Sequence, residues 1–214
     1  MIPEYNQALL SYADPKAVAI GEEQVNAALK QALPATTGML TPSPAEDNNA
    51  VAVSESTASK YKLNTLDDLA SVSDQLVMGG PTEFQSRKDG LVGMKSEYGI
   101  EFKSYKVLGD NSGPITVSAL KGGDVDVALF QTSSPSLAEN DFKVLSDPKS
   151  ILGVNNVTPF YCNKGLNTKA QAVIEKVSST MTTDALTKMN YDFSVKKADS
   201  EQVAESWLKE NGLN

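Results

Sequence analysis

Apolar positions along this chain fall into two periods, and the period switches many times. Tyr5, Leu9 and Tyr12 recur at helical spacing and predict a short helix over 4–13. A clear amphipathic helix follows over 22–33, opened after Gly21 and stopped by Pro34. The next stretch reads as a strand fragment running into a polar loop with Pro42 and Pro44. Residues 49–56 alternate as a strand. Short helices are predicted at 56–61 and 65–71, the second with Thr65 as its cap and Asp67 and Asp68 in its first turn.

Beyond these, strands are predicted at 74–80, 101–109, 124–131, 142–148 and 154–163. Helices are predicted at 83–99, 114–123, 169–181, 183–193 and 201–212. The first of them is interrupted by Gly90 and Gly93, the second closed by Gly122 and Gly123, and the fourth capped by Thr183. The 169–181 helix carries an apolar stripe of Ala172, Val173, Val177 and Met181, and the last one groups Val203, Trp207 and Leu208. Strands alternating with helices point to an α/β architecture with mostly parallel sheets.

Composition narrows the chemistry. The chain has 214 residues, 40% hydrophobic and 21% charged, enough for one large domain or two small lobes with a buried core. A formal charge of -8 removes a general basic footprint and with it nucleic acid as a partner. There is no histidine and a single cysteine, Cys162. Catalytic triads and dyads that need histidine, internal disulfides, and cysteine or histidine metal sites are therefore excluded, and no cofactor or metal is expected. Cys162 reads as a small buried residue of a strand. No apolar run approaches about 18 residues, and the first residues show no signal-peptide pattern.

Several segments resemble the substrate-binding proteins of glycine betaine/choline-type ABC transporters. The opening PEYNQALLSY (3–12) is similar to that family's helix start. The block GGPTEFQSRKDGLVGMKSEYGIEFKSYKVL (79–108) is the most specific match, with Glu83, Phe84, Arg87, Asp89, Gly90, Leu91, Gly93, Tyr98 and Gly99 in register. The strand entry at 119–134 and the ending around 186–213 are weaker matches.

The resemblance implies a two-lobed fold of the type II periplasmic-binding class, each lobe a mostly parallel sheet flanked by helices. Residues 1–50 with 155–214 would form the first lobe and 51–154 the second. Family members carry about 30 or more residues ahead of the matched opening. The first lobe is thus expected to be incomplete and the chain truncated, with an exposed sheet edge through which copies could associate.

The resemblance further implies a small-molecule solute held between the lobes, ABC permease subunits as partners, no enzymatic activity, and an extracytoplasmic location for the parent protein. The family's cage of aromatic faces around a quaternary ammonium carries over unevenly. Its first tyrosine corresponds to Tyr5; the other three positions fall on Val51, Gln131 and Asn155. Gln131 and Asn155 offer amide donors and acceptors and suit a solute with hydroxyls or carbonyls. A slip of one residue would instead bring Phe130 into the site.

Each candidate has a plainer reading. Tyr5 suits packing as well as stacking. Gln131, Asn155, Asn156 and Asn49 could satisfy backbone groups. Arg87, the only arginine, is either a carboxylate clamp or, the favoured reading, an ion pair with Glu83 or Asp89. Three alternatives stay open: an enzyme on the same fold, a ligand-sensing module of a receptor or regulator, and a fragment without binding activity.

Overall fold

The computed structural model describes residues 1–213 apart from 18, 20 and 111. The chain divides into two compact units, Met1–Asn48 with Val154–Asn214, and Asn49–Gly153.

The first unit is built on three strands, β1 (Ile2–Tyr5), β2 (Thr37–Met39) and, late in the chain, β8 (Val157–Cys162). β8 lies in the middle and pairs antiparallel with both neighbours, Ile2 opposite Phe160 and Met39 opposite the same residue. In this unit the pairing is antiparallel throughout, where a mostly parallel sheet was expected. The opening segment is likewise a strand before it is a helix. Tyr5 is extended (φ -88°, ψ 124°) and α1 runs only over Asn6–Ala13. With α2 (Glu22–Ala32), α1 closes a small core of Leu10, Val25, Leu29 and Phe160.

Three further helices complete this unit. They are α8 (Thr168–Thr180), α9 (Thr183–Ser194) and α10 (Ser200–Glu210). Their N-termini are capped by side-chain oxygens of Asn167, Thr182 and Asp199, so the cap of α9 is Thr182 and not Thr183. The predicted apolar stripe of α8 is not buried. Val173 is 58% exposed, and the buried residue of that helix is Ser178, whose hydroxyl reaches the Thr41 carbonyl. In α10 Trp207 is buried, as its face predicts. Cys162 is the last residue of β8, paired with Thr37 at the end of the ladder, and is exposed instead of buried in the core.

The second unit holds a five-stranded sheet in the order β5-β4-β6-β3-β7. Its strands are β3 (Asn49–Val53), β4 (Val77–Gly80), β5 (Ser104–Val107), β6 (Val127–Gln131) and β7 (Lys143–Val144). β4 is parallel to β5 and β6, whereas β3 is antiparallel to β6 and β7. Alternate residues serve two cores. Val51, Val53, Val127 and Leu129 join Leu66, Leu69, Met78, Phe84 and Met94 on one face. Ala50, Ala52, Ala128 and Phe130 join Leu108, Leu120 and Val125 on the other.

Short helices α3 (Glu55–Tyr61), α4 (Leu66–Ala70), α6 (Pro114–Gly122) and α7 (Pro135–Glu139) connect these strands. The capping box of α4 forms in full, Thr65 accepting from the Asp68 N–H while the Asp68 carboxylate accepts from the Thr65 N–H. Residues 83–99 are not one helix. They form a 3-10 turn (Thr82–Gln85), one turn of helix α5 (Leu91–Gly93) and a π-helical turn (Met94–Tyr98) ended by Gly99 at φ 72°. The backbone folds back so tightly that a Cβ on Gly93 would lie 2.0 Å from the Lys88 carbonyl oxygen. No helix among the described residues is long and apolar enough to cross a membrane.

Candidate functional site

The residues singled out by sequence separate into one polar cluster in each unit.

In the first unit the chain enters α1 through Tyr5, whose hydroxyl donates to Oδ2 of Asp47 at 2.9 Å. Burial first, and the adjacent carboxylate second, push the Tyr5 phenol well above its ordinary range. Asp47 belongs to the polar run preceding β3. Its N–H donates to the Asn155 carbonyl at 2.9 Å. Asn155 is tied from both sides. Its N–H donates to Oδ1 of Asn48 at 2.5 Å, and its own Oδ1 accepts from the Ala8 N–H at 3.2 Å. Tyr5, Asp47, Asn48 and Asn155 are thereby held in one hydrogen-bonded group at the N-terminus of α1.

Asn156 sits one layer deeper, 3% exposed. Its N–H donates to Oδ1 of Asn6 at 2.9 Å, and its Nδ2 donates to the Ser43 carbonyl at 3.0 Å. Asn6 is fully buried, reaches Asn26 with its Nδ2, and donates its own N–H to the Asn156 carbonyl. Asn6 and Asn156 form the frame that holds the outer group in place. Oδ1 of Asn156 is buried without a hydrogen-bond partner among the described residues.

In the second unit Gln131 ends β6 opposite Asn49, the first residue of β3. Its N–H donates to the Ser112 hydroxyl at 2.8 Å and its Nε2 to Oδ1 of Asn49 at 3.4 Å. Asn49 in turn donates from Nδ2 to the carbonyl and to Oδ2 of Asp89, at 3.3 and 3.4 Å. Arg87 grips the same carboxylate with two nitrogens, Nε to Oδ1 at 2.8 Å and Nη2 to Oδ2. Of the two ion-pair partners weighed from sequence, Asp89 is the one that closes.

Two candidates leave the site. Val51, expected at a ligand-contacting position, is 0% exposed and packs among Val53, Leu129 and the rest of one core. It lies on the same face of β3 as Asn49, two positions earlier, but deeper in the strand, where that face is covered by the core. Phe130 is also fully buried, its ring 5.5 Å from that of Phe142, so a one-residue slip does not bring it out. The residues that sequence reasoning underweighted are Asp47, Asp89 and Asn6. The signal for the first was the run Glu46-Asp47-Asn48-Asn49 directly before an apolar strand. The described residues contain no group of three or more His, Cys, Asp or Glu placed to hold a metal ion.

A family model described as the substrate binding domain of an ABC-type glycine betaine transport system matches residues 1–210. The carnitine transport binding protein OpuCC of Listeria monocytogenes is 28% identical over 162 residues, which cover 74% of this chain and 52% of that protein. The glycine betaine-binding protein YehZ of Escherichia coli (strain K12) is 25% identical over 182 residues, 81% of this chain and 60% of its own length. The chain thus spans about half to three-fifths of the curated relatives it matches. A crystal structure of a glycine betaine/carnitine/choline ABC transporter superimposes with a TM-score of 0.85 at 26% identity, covering 99% of this chain and 78% of that one.

Proposed function

This chain belongs to the family of substrate binding domains of ABC-type glycine betaine transport systems, and we propose that it captures a small polar or quaternary-ammonium solute and delivers it to the permease subunits of an ABC importer. It would work outside the cytoplasm, by binding and release, without making or breaking bonds. The observation that carries this reading is the family match along residues 1–210.

Within that function, the solute-contact candidates of the first unit are Tyr5, Asp47 and Asn155, and those of the second unit, taken by itself, are Gln131 and Asn49. Three of these five side chains are amides, so hydroxyls or carbonyls on the solute would find partners. The Tyr5 ring would supply the face for a cationic or apolar part. The β1 edge belongs to the same proposal. Ile2 is 57% exposed there, and two copies could pair along this strand, although Pro3 lacks the N–H that a longer ladder needs. A clean monomer in sedimentation at high concentration would remove that element.

Thermal unfolding and titration calorimetry with glycine betaine, carnitine, choline and a set of polyols test the main reading. A solute at one hundred times its dissociation constant adds about 2.7 kcal/mol of stability. Binding of any member of the panel is the expected result. Absence of binding throughout would overturn the capture function for this chain.

A further inference from the structure

The polar chain in the second unit has a direction. Asp89 offers only acceptors, the backbone carbonyl and the carboxylate, to Nδ2 of Asn49. The Asn49 amide must therefore point its nitrogen at Asp89 and its oxygen at Gln131. That oxygen then accepts from Nε2 of Gln131, so the Gln131 amide is coupled through Asn49 to Asp89. Asn49 is 6% exposed, a position where an uncompensated carboxylate neighbour would be costly. Arg87, whose side chain is 43% exposed, supplies the opposite charge to Asp89 from the solvent side.

We propose that Arg87 and Asp89 are positioning residues: they set which end of the Gln131 amide meets the solute, and so tune affinity without touching the solute themselves. This inference rests on the proposed solute-binding function. It makes Arg87 neither a direct clamp nor an idle surface ion pair. Exposed pairs are ordinarily worth little; this one matters because its acidic member is shared with a buried amide.

The test uses the full chain labelled with nitrogen-15. The side-chain amide signals of Asn49 and Gln131 are assigned by their loss in Asn49→Ala and Gln131→Leu. In Arg87→Ala and Asp89→Ala both signals should shift. In a Lys95→Ala control, which breaks the exposed Lys95–Glu101 pair of the same region, they should not. Arg87→Lys should restore the signals part of the way. Where a panel solute binds the parent chain, Arg87→Ala should weaken it about five- to tenfold. Unmoved amide signals overturn the proposal whatever binds. Shifted signals with undiminished affinity overturn it too. If no member of the solute panel binds the parent chain, the capture function has failed, and the amide signals alone decide whether Arg87 and Asp89 orient Gln131.

Discussion

The hydroxyl of Tyr5 donates to the carboxylate of Asp47 across 42 residues of sequence, at 2.9 Å. One residue closes a strand and opens a helix; the other precedes the first strand of the second unit. Their bond fixes the tyrosine ring at the N-terminus of α1 and presents it beside a negative charge. A tyrosine free to rotate would be a poorer platform, since each ordered rotamer lost on binding costs about 0.5–1.5 kcal/mol.

Removing the bond and removing the ring should therefore separate. Tyr5→Phe keeps the face but leaves Asp47 without this donor, and should cost about 1–2 kcal/mol of stability. Tyr5→Ala should in addition weaken a quaternary-ammonium solute about three- to thirtyfold. Urea unfolding and calorimetry with glycine betaine would show it. Equal affinities for Phe and Ala at this position would mean that the ring faces no solute.

The Asn6–Asn156 pair should behave as frame. Asn6→Ala removes acceptors from the N–H groups of Gln7 and Asn156 and a partner from Asn26. Because Asn6 is fully buried, each orphaned group should cost about 1–3 kcal/mol. A fall in the urea midpoint with an unchanged slope is the expected outcome. A loss of less than about 0.5 kcal/mol would be that of an ordinary surface change and would remove the frame role.

Gly93→Ala tests the broken helical segment. The added methyl carbon would lie 2.0 Å from the Lys88 carbonyl oxygen, a backbone atom that cannot swing aside. Destabilisation of about 1–3 kcal/mol is expected, the usual cost of a forced backbone shift. Within an uninterrupted helix the same change would stabilise by up to about 1 kcal/mol, so the sign of the effect distinguishes the two conformations.

How far the sequence was legible follows from what each signal measures. The β3 and β6 runs, Asn49–Val53 and Val127–Gln131, were readable as strands, β3 from its alternation and β6 from its continuous apolar run. Thr65, Asp67 and Asp68 announced the start of α4 because capping is local chemistry. The 79–108 block supported the family because many residue types recur at fixed spacing there. What failed depends on tertiary context. Periodicity recognises that α8 has an apolar stripe, but burial of Val173 requires something to cover it. Val51 looked like a site residue by alignment alone, yet it lies where the core covers its face of β3, and Asn49 at the strand's start is the polar residue of that face. Asp89 was visible only as a neighbour of Arg87; its hold on Asn49 spans 40 residues and has no local signature.

The surface position of Cys162 gives a direct check on one of those differences. A thiol at the exposed end of β8 should react with a thiol reagent in the folded protein at about the rate found in denaturant. The buried placement expected from the sequence predicts protection until unfolding. Protection of the thiol would mean that the end of β8 is covered in solution.

Three tyrosines make stability at alkaline pH the last test. Tyr105 donates to the Pro81 carbonyl at 2.8 Å, and burial, followed by the charge of Glu83, pushes its phenol up to about 12 from an ordinary 10.0. Tyr98 donates to Oδ1 of Asp147 at 2.5 Å and is raised by burial and by that bond, against the opposing donation of the Lys149 N–H. Tyr5 is raised as described. A folded phenol with a raised pKa binds its proton more tightly than the unfolded one. Its contribution is therefore fully present below pH 10 and is lost as pH rises through the interval to the folded value. Unfolding free energy should decline with pH above 10, and the decline should be shallower in Tyr105→Phe, which carries no proton to lose. The comparison is between the two slopes, not the absolute curves. Urea unfolding at successive pH values from 8 to 11 measures both. Parallel curves for the parent and Tyr105→Phe would show that burial does not hold this phenol neutral.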